Sequence, residues 1–386
     1  HSFGGTVLDV SASSSEDNYI LKYDHSISRI KLEAESSTDD QTGAEVLLTG
    51  YTKPSSTSAL AATDNVNEAL GKLEKGLESA NGGSTNPNIY IVNELSDLQG
   101  DLSAEANKIW SLQAYDIDMA SASITLPTGV YIRNDGGSLI NGTIDLNGGK
   151  VSSDLLDYRI TFSNGKLFNS EYNFNLEKSG ITETTKDSTI TENNKHRWNH
   201  LAQQVNALKG NKINVHNLFA YFSVWTDKNN GKAQWEDNRS LKLYGNITYN
   251  FSENTSIKIR PDNSFGASLF NTYQQNNIAV TGGGSLIGDR EEHNYAPVRD
   301  YANAQRDSHE FGSIINIVGS HNVLIEGMFI DDSTADCIII DGTSIRNADG
   351  SVKSGEFEAY DVIIRGNYMS RARRNTISAL DGVKAY

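Results

Sequence analysis

Short aliphatic segments recur along the last third of the chain, and this recurrence constrains the fold more than any other feature of the sequence. Each segment has a polar turn residue, a short strand-like run and then glycine. Three of them align, at 277–282, 322–327 and 361–366. A second set alternates with the first, at 313–317, 337–341 and 376–380. Such repeats predict stacked units that bury one continuous core between neighbours.

The spacing of the repeats predicts a parallel arrangement. From Ile315 to Ile338 the separation matches about one circuit of a parallel β-helix. The next interval is longer, and the polar segment from Thr343 to Phe357 predicts a loop insertion. Near-continuous Ile and Val runs favour buried parallel strands, and Asn or Asp at equivalent turns can hydrogen-bond between circuits. A β-sandwich of similar short strands is the alternative.

Composition narrows the class of protein. The 386 residues include 33 Gly and only 5 Pro, with 37% hydrophobic residues, which suits a β-rich chain with many polar turns. The net charge of −16 argues against nucleic acid as a partner and against long-range attraction to an acidic glycan, although a groove can still carry local positive charge. No stretch has the apolar length that spans a bilayer.

The single cysteine and the two chain ends give further expectations. Cys337 excludes an intramolecular disulfide, and its place in an Ile run predicts a buried structural thiol. The chain begins at His1, as expected of a processed product, a tag remnant or an internal fragment. Because it ends at Tyr386 directly after a predicted strand, we expect further sequence or partner chains to cover that end.

Four regions are predicted. Residues 1–60 form a small β module with strands near 19–23 and 30–32, and residues 61–88 form a short helix and linker. Residues 89–190 form a β-rich intermediate module, and 191–386 form the β-helix. The short helix carries apolar residues at a/d spacing, which favours oligomerisation or, alternatively, packing on its own chain. These residues are Val66, Leu70, Leu73 and Leu77.

A second helix is predicted from Trp198 to Lys209, before Gly210. Leu201, Val205 and Leu208 share one of its faces. An amphipathic helix placed across the unpaired end of a stack of strands covers its apolar edge. We therefore expect this helix to cap the β-helix.

Two segments resemble known families. The runs 240–245, 277–290 and 309–312 resemble the pectate-lyase-like superfamily of right-handed parallel β-helices, over about half of the chain. This resemblance implies an all-β fold and polysaccharide as the ligand class. Segments 42–51 and 61–74 resemble connectors of phage and prophage tail fibres, which implies a homotrimeric, virion-attached receptor-binding protein. Its implied partners are a host surface polysaccharide and other tail or baseplate proteins.

The densest candidate for catalysis is the acidic turn 331–336. Asp331, Asp332 and Asp336 lie between two predicted strands, and paired carboxylates suit glycoside hydrolysis. A turn or ladder role is the alternative. Calcium is a further one, because hard oxygen ligands suit that ion; no other cofactor is predicted.

A second group suits a lyase, which needs a base near the proton alpha to a uronate and a cation that offsets the enolate charge. His293 is the candidate base, and Glu310 is a further catalytic candidate. Solvated charges at turns are the alternative for the arginines. The predicted substrate-binding residues here are Asp289, Arg290, Arg373 and Arg374, with Arg371 in the same basic cluster.

Aromatic side chains supply stacking surfaces for sugar rings. Trp225, Trp235 and Tyr244 are the candidates, with core packing as the competing role. Together these features predict a phage tail fibre or tailspike that recognises a host polysaccharide, with or without cleaving it. A secreted lyase or hydrolase and a purely structural adhesive fibre are the alternatives.

Overall fold

The computed structural model describes part of the chain. In the first residues it describes the backbone of strands β1 (Ser2–Phe3), β2 (Thr6–Leu8), β3 (Tyr19–Asp24) and β4 (Arg29–Ala34). Beyond them it describes residues 88–113, 116–224, 239–299, 304–310, 312–342 and 357–380. The chain divides into two compact units, His1–Asn86 and Pro87–Tyr386.

The first unit contains one four-stranded sheet in the order β1-β2-β4-β3. β1 pairs antiparallel with β2, β2 pairs parallel with β4, and β3 pairs antiparallel with β4. The two strands predicted near 19–23 and 30–32 are therefore confirmed. The predicted helix with Val66, Leu70, Leu73 and Leu77 lies outside the described residues.

The second unit begins with three parallel sheets, ordered β14-β12-β9-β6-β5, β10-β7 and β13-β11-β8. Short 3-10 helices cover Leu95–Leu98, Ser103–Glu105 and Ser153–Leu155. The strands are β5 (Ile89–Val92), β6 (Ile109–Leu112), β7 (Ile117–Asp118), β8 (Ser123–Thr125), β9 (Tyr131–Asn134), β10 (Leu139–Ile140), β11 (Gly142–Asp145), β12 (Lys150–Val151), β13 (Ile160–Ser163) and β14 (Lys166–Leu167).

Three further parallel sheets follow. Sheet 1 comprises β15 (Glu171–Asn173), β16 (Lys212–Val215), β19 (Ile247–Phe251), β22 (Asn276–Gly282), β27 (His321–Glu326) and β30 (Tyr360–Arg365). Sheet 2 comprises β17 (Phe219–Phe222), β20 (Ser256–Ile259), β23 (Ser285–Ile287), β28 (Phe329–Asp331) and β31 (Tyr368–Ser370). Sheet 3 comprises β18 (Leu241–Lys242), β21 (Ser268–Tyr273), β26 (Ser313–Val318), β29 (Asp336–Asp341) and β32 (Ile377–Ala379).

From β16 onward the chain visits sheets 1, 2 and 3 in that order and then returns to sheet 1. We call one such passage a circuit. A small antiparallel hairpin, β24 (Val298–Arg299) and β25 (Gln305–Arg306), lies in the connection between sheets 2 and 3. The pairing of all three sheets is parallel in the described residues, which excludes the sandwich alternative because sandwich sheets are antiparallel.

The predicted register is confirmed. In sheet 1, Val323 pairs with both Ile278 and Val362. In sheet 3, Ile338 pairs with both Ile315 and Ile377. Ile315 and Ile338 are fully buried, and burying one such side chain contributes about 1.5–3 kcal/mol. The predicted loop between Thr343 and Phe357 lies outside the described residues except at Phe357.

Asparagines stack where successive circuits enter sheet 1. The sequence predicted such hydrogen bonds between equivalent turn residues. Asn246, Asn277 and Asn322 have positive φ angles of 60°, 59° and 54°, a region that Asn tolerates better than most residues. The Asn277 amide nitrogen donates to Asn246 at 2.8 Å, and that of Asn322 donates to Asn277 at 2.7 Å. We call these three residues the asparagine column.

Two helices precede sheet 1's longer strands: α1 (Leu176–Ser179) and α2 (Ser188–Ala207). α2 begins ten residues before the predicted start, because the Asp187 side chain caps it and buried polar residues support its first half. The Asn194 amide, for example, donates to the Thr182 and Tyr221 carbonyls. The predicted apolar face is buried at Leu201, Val205 and Leu208.

α2 packs against β13 on one side and β17 and β18 on the other. Trp198 on this helix contacts the rings of Phe222, Phe251 and Phe270 at centroid distances of 5.9–6.3 Å. The helix therefore covers edge strands of sheets 2 and 3, as a cap would. It also contacts the preceding sheets, so one apolar core extends from Val92 to Ala359. A division between 89–190 and 191–386 stays a prediction from the sequence.

Cys337 is buried, as predicted, and burial raises the pKa of its thiol to about 12. It is therefore a structural thiol and not an activated one. In the described part of the chain, no helix has both the length and the apolar character that crossing a bilayer requires.

Candidate functional site

The candidate site lies where three stacked strands of sheet 2 end. Ile287, Asp331 and Ser370 occupy the same register position in β23, β28 and β31, so Gly288, Asp332 and Arg371 follow in one column. Gly288 donates its N–H to the Asp331 carbonyl at 2.9 Å. A Cβ at Gly288 would come within 2.2 Å of the Asp332 carbonyl oxygen, so a side chain there would displace the next circuit. We call residues 288–295, 309–310, 331–336 and 370–374 the sheet 2 corner.

Asp331 is held by the next circuit. Its carboxylate accepts two bonds of 3.0 Å from Arg371 Nε, a further bond from Arg371 Nη2, and one of 2.7 Å from the Ser370 hydroxyl. Because Arg371 donates to it, the pKa of Asp331 lies below its usual range. Asp331 is only 3% exposed. This predicted catalytic carboxylate is thus an ionised partner in a bidentate pair.

Asp332 has a different environment, although it is the next residue. Its backbone is left-handed, with φ of 63°, and its Oδ1 has no hydrogen-bond partner among the described residues. That atom lies 3.9 Å from Arg371 Nη1, while Oδ2 accepts from the Glu291 N–H at 3.4 Å. Burial raises the pKa of Asp332. Two adjacent carboxyls whose environments move their pKa values apart are the arrangement that acid and base roles require.

The other two predicted carboxylate residues, Asp336 and Glu310, differ in exposure. Asp336 is 2% exposed, and its Oδ1 accepts the N–H of Asn375 from the next circuit at 2.9 Å. The Ser333 hydroxyl donates to the Asp336 carbonyl. Glu310 is partly buried, and its carbonyl accepts from Arg374 Nη1 at 3.1 Å. These contacts tie the connections together and favour a structural role for Asp336.

A chain of hydrogen bonds anchors the long connection that follows β23. Asp289 Oδ2 lies 2.7 Å from His293 Nδ1, and His293 Nε2 lies 2.8 Å from His309 Nδ1. His309 Nε2 lies 3.0 Å from the Ala296 carbonyl, which can only accept. Burial lowers the pKa of His309, which favours a neutral ring. In that form His309 Nδ1 accepts from His293 Nε2, and both nitrogens of the predicted base are engaged.

Asp262, which follows β20 of sheet 2 in the preceding circuit, lies close to Asp289 and His293. One ligand atom from each of Asp262, Asp289 and His293 lies within 4.8 Å of the others. Burial, and then the neighbouring Asp289, raises the pKa of Asp262. The set mixes nitrogen with oxygen, which suits a transition metal better than calcium, the ion considered for the acidic turn 331–336. A cation between Asp289 and His293 would also replace their direct hydrogen bond.

Tyr295 and Arg373 form the open side of the corner. The Arg373 guanidinium lies 4.6 Å from the centre of the Tyr295 ring, and the Tyr295 hydroxyl donates to the Arg290 carbonyl at 3.2 Å. The ring of His293 lies against that of Tyr295 at 4.7 Å. Burial raises the pKa of Tyr295, so the phenol is protonated at neutral pH. Arg371, Arg373 and Arg374 are all exposed.

The structure therefore places most of the predicted residues together. Asp289, Arg290, His293, Glu310, Asp331, Asp332, Asp336, Arg373 and Arg374 belong to the corner. Tyr244 does not, because it lies beside sheet 3. Trp225 and Trp235 lie outside the described residues. Sequence reasoning missed Asp262, Glu291 and Tyr295, and only the register of the strands would have indicated Asp262.

Comparisons with known proteins give a limited result. No family model matches the sequence, and no solved structure matches it. The uncharacterized protein YclG of Bacillus subtilis (strain 168) is 33% identical over 141 residues, covering 36% of this chain and 22% of that protein. The SPbeta prophage-derived uncharacterized protein YorA of the same strain is 30% identical over 138 residues, with the same two shares. The chain thus matches about a fifth of the length of these relatives. The similarity to YorA associates an all-β chain of parallel sheets with a prophage protein.

Proposed function

We propose that this chain belongs to a phage tail fibre or tailspike that binds an anionic polysaccharide of the host surface at the sheet 2 corner. In this proposal the circuits of sheets 1, 2 and 3 form a right-handed parallel β-helix. The cyclic order of the strands and their parallel pairing support that fold. The similarity to the prophage-derived relative supports the phage assignment.

One observation carries the ligand class: at a corner rich in carboxylates, Arg373 and Arg374 are exposed, and their described hydrogen bonds go to backbone carbonyls and not to carboxylates. Arg373 and Arg374 are anchored to the carbonyls of Ser308 and Glu310, which fixes their planar groups. Guanidinium groups bind carboxylate and phosphate bidentately. Tyr295 offers a partly exposed ring against which the apolar face of a sugar can bury.

The binding test uses two arginines of the same circuit. We expect Arg373→Ala to weaken binding of a uronate polymer or of wall teichoic acid at least tenfold, and added salt to weaken binding by the unchanged protein. Arg365→Ala is the matched control, because Arg365 is exposed on sheet 1 and pairs with Glu326. Equal losses in both variants, or equal binding of a neutral polymer, would contradict the proposal.

A second candidate function, glycoside hydrolysis, is favoured by the environment of Asp332. Its raised pKa suits a general acid that protonates the glycosidic oxygen as the bond to the anomeric carbon breaks. Glu291, whose N–H donates to Asp332, is the candidate base. Its carboxylate would take a proton from the water whose oxygen bonds to the anomeric carbon. Elimination has less support, because both nitrogens of His293 are engaged.

Reducing-end release from the bound polymer tests this activity. We expect Asp332→Asn to lower it by roughly 10²–10⁴-fold, because an amide cannot deliver the proton. Asp331→Asn is the neighbouring control, and a smaller loss is expected there. Unsaturated products would instead indicate a lyase. Binding without any product would leave recognition as the function and overturn the hydrolase.

We also propose a homotrimer that attaches to other tail or baseplate proteins. Cyclic oligomers of this kind present one surface several times, which raises avidity for a repeating polymer. Light scattering of the 42.2 kDa chain tests the assembly. A threefold mass is expected, and a monomer would favour the secreted enzyme.

A further inference from the structure

A small recess lies on the outward side of sheet 3, away from the sheet 2 corner. Lys242 on β18 and Asn271 on β21 occupy one column there, and Asn316 on β26 continues it. Leu241 and Phe270, the preceding residues, are buried in the core, so this column faces outward. The recess has a volume of about 170 Å³, which accommodates roughly five water molecules.

Asn271 is the unusual residue of this recess. It is 4% exposed, and neither atom of its amide has a hydrogen-bond partner among the described residues. Asn316 Oδ1, one circuit further, has no such partner either. Buried amides are nearly always paired, because an unpaired one loses its bonds to water and gains none. Asn271 therefore brings an unpaired amide NH2 group and an unpaired carbonyl oxygen to the lining of the recess.

The walls of the recess are aromatic and are held in place. Tyr244 and Tyr273 line it. The Tyr244 N–H donates to the Tyr249 hydroxyl at 2.7 Å, and burial raises the pKa of the Tyr244 phenol. The Gln275 side chain accepts from the Gly245 N–H and donates to the Tyr273 carbonyl. These contacts hold the backbone of both tyrosines, so less backbone entropy remains to be lost on binding.

We infer that this recess is a second binding site, which takes one sugar residue through Asn271. Adjacent hydroxyls of a pyranose match the amide, since one oxygen accepts from Nδ2 while the next hydroxyl donates to Oδ1. The apolar face of the ring packs against tyrosine. The volume suits one sugar and not an oligosaccharide, for which pockets of roughly 300 Å³ or more are usual. The inference rests on the proposed function for its ligand class, but its residues are separate from the sheet 2 corner.

Saturation-transfer-difference NMR on the full chain tests the site. The probes are glucose, galactose, N-acetylglucosamine and glucuronate, each at about 10 mM because single sugars bind weakly. We expect transfer to at least one of them, loss of that transfer in Asn271→Leu, and a strong reduction in Tyr244→Ala. Asn250→Leu is the matched control, because the Asn250 amide bonds to Asn214 on the outward side of sheet 1.

Asn271→Leu should also raise the melting temperature, because it removes two unpaired polar atoms from a buried position. A gain in stability with a loss of sugar binding distinguishes a binding residue from a structural one. Transfer to no sugar, or unchanged transfer in Asn271→Leu, would overturn the inference. The unchanged protein separates the two proposals: if it binds no polymer while the sugar signal persists, the corner is wrong and the recess stands. Arg373→Ala should weaken polymer binding and leave the sugar signal unchanged.

Discussion

The asparagine column and the sheet 2 corner are both places where successive circuits turn. They differ in how the polar groups of the turn residues find hydrogen-bond partners. Beside sheet 1 the same residue type recurs, and each amide bonds to the one before it. At the sheet 2 corner the equivalent column contains Gly288, Asp332 and Arg371. When the same amide recurs in each circuit, it can hydrogen-bond to the amide of the preceding circuit. A column of different residues needs hydrogen-bond partners from outside the column. The sheet 2 corner, which we also call the mixed corner, therefore contains charged side chains, a long connection and an unpaired carboxyl oxygen.

The largest effect is expected from removing the cation of the mixed corner. Arg371→Met would leave the buried Asp331 carboxylate with the Ser370 hydroxyl as its remaining side-chain donor, at a cost of about 2 kcal/mol in unfolding free energy. This figure is below that of fully buried pairs because the Arg371 side chain is 44% exposed. Asp331→Asn should cost less, since Arg371 can return to water. Urea denaturation compares the two variants.

The same pair predicts a pH dependence. The folded pKa of Asp331 is lowered, so its ion pair stabilises the protein above the unfolded pKa of about 3.9 and is lost as pH falls through the lower folded value. The gap between the unchanged protein and Arg371→Met should thus be constant near neutral pH and close in acid. A gap that persists in acid would mean that packing, and not charge, is the cause.

A smaller effect is expected in the asparagine column. Asn322→Val puts a β-branched residue at a φ of 54° and should cost about 1–2 kcal/mol in strain. Asn322→Gly keeps the backbone relaxed and loses only exposed amide bonds, so it should cost well under 1 kcal/mol. Thermal unfolding of both variants checks the difference. Equal losses would show that the amide ladder, and not the conformation, explains the asparagine.

The repeated column was easier to predict from the sequence than the mixed corner. Pairing of Ile315 with Ile338 and of Ile278 with Val323 could be predicted because each circuit repeats an aliphatic run after a polar turn. The asparagine contacts were predictable for the same reason. Repetition makes distant contacts visible in a single sequence.

At the mixed corner the sequence indicated most of the residues that come together, but not which of them bind one another. Asp331 and Asp336 were candidates for catalysis, yet Arg371 and Asn375 bind them from a circuit about 40 residues later. Their partners follow from register, which motif spacing does not give. The first half of α2 was missed because Thr191 and Asn194 are buried through hydrogen bonds, whereas sequence patterns treat such residues as exposed.

His309 at the mixed corner should make the unfolding free energy depend on pH between pH 5 and 8. The folded pKa of His309 is lowered, first by burial and then by His293, so its contribution is fully present above about pH 6.5 and declines as pH falls. The groups that face it include His293, Asp262 and Arg373. One proton limits the slope to about 1.4 kcal/mol per pH unit. His309→Asn should flatten this slope, and an unchanged slope would assign it to another group.

The smallest effect on stability is expected for an exposed ion pair that belongs neither to the asparagine column nor to the mixed corner. Arg365 donates to Glu326 at 2.8 Å on sheet 1, with side chains 63% and 39% exposed. Solvent screens such a pair, so Arg365→Ala should change the unfolding free energy by less than about 0.5 kcal/mol. Arg365 and Arg371 are six positions apart in one circuit, and both bind a carboxylate of the preceding circuit. The carboxylate of Glu326 is more exposed than that of Asp331, and Arg371 also pairs with Glu291. A large loss in Arg365→Ala would therefore refute the explanation that burial and multiple pairing make the mixed corner costly to alter.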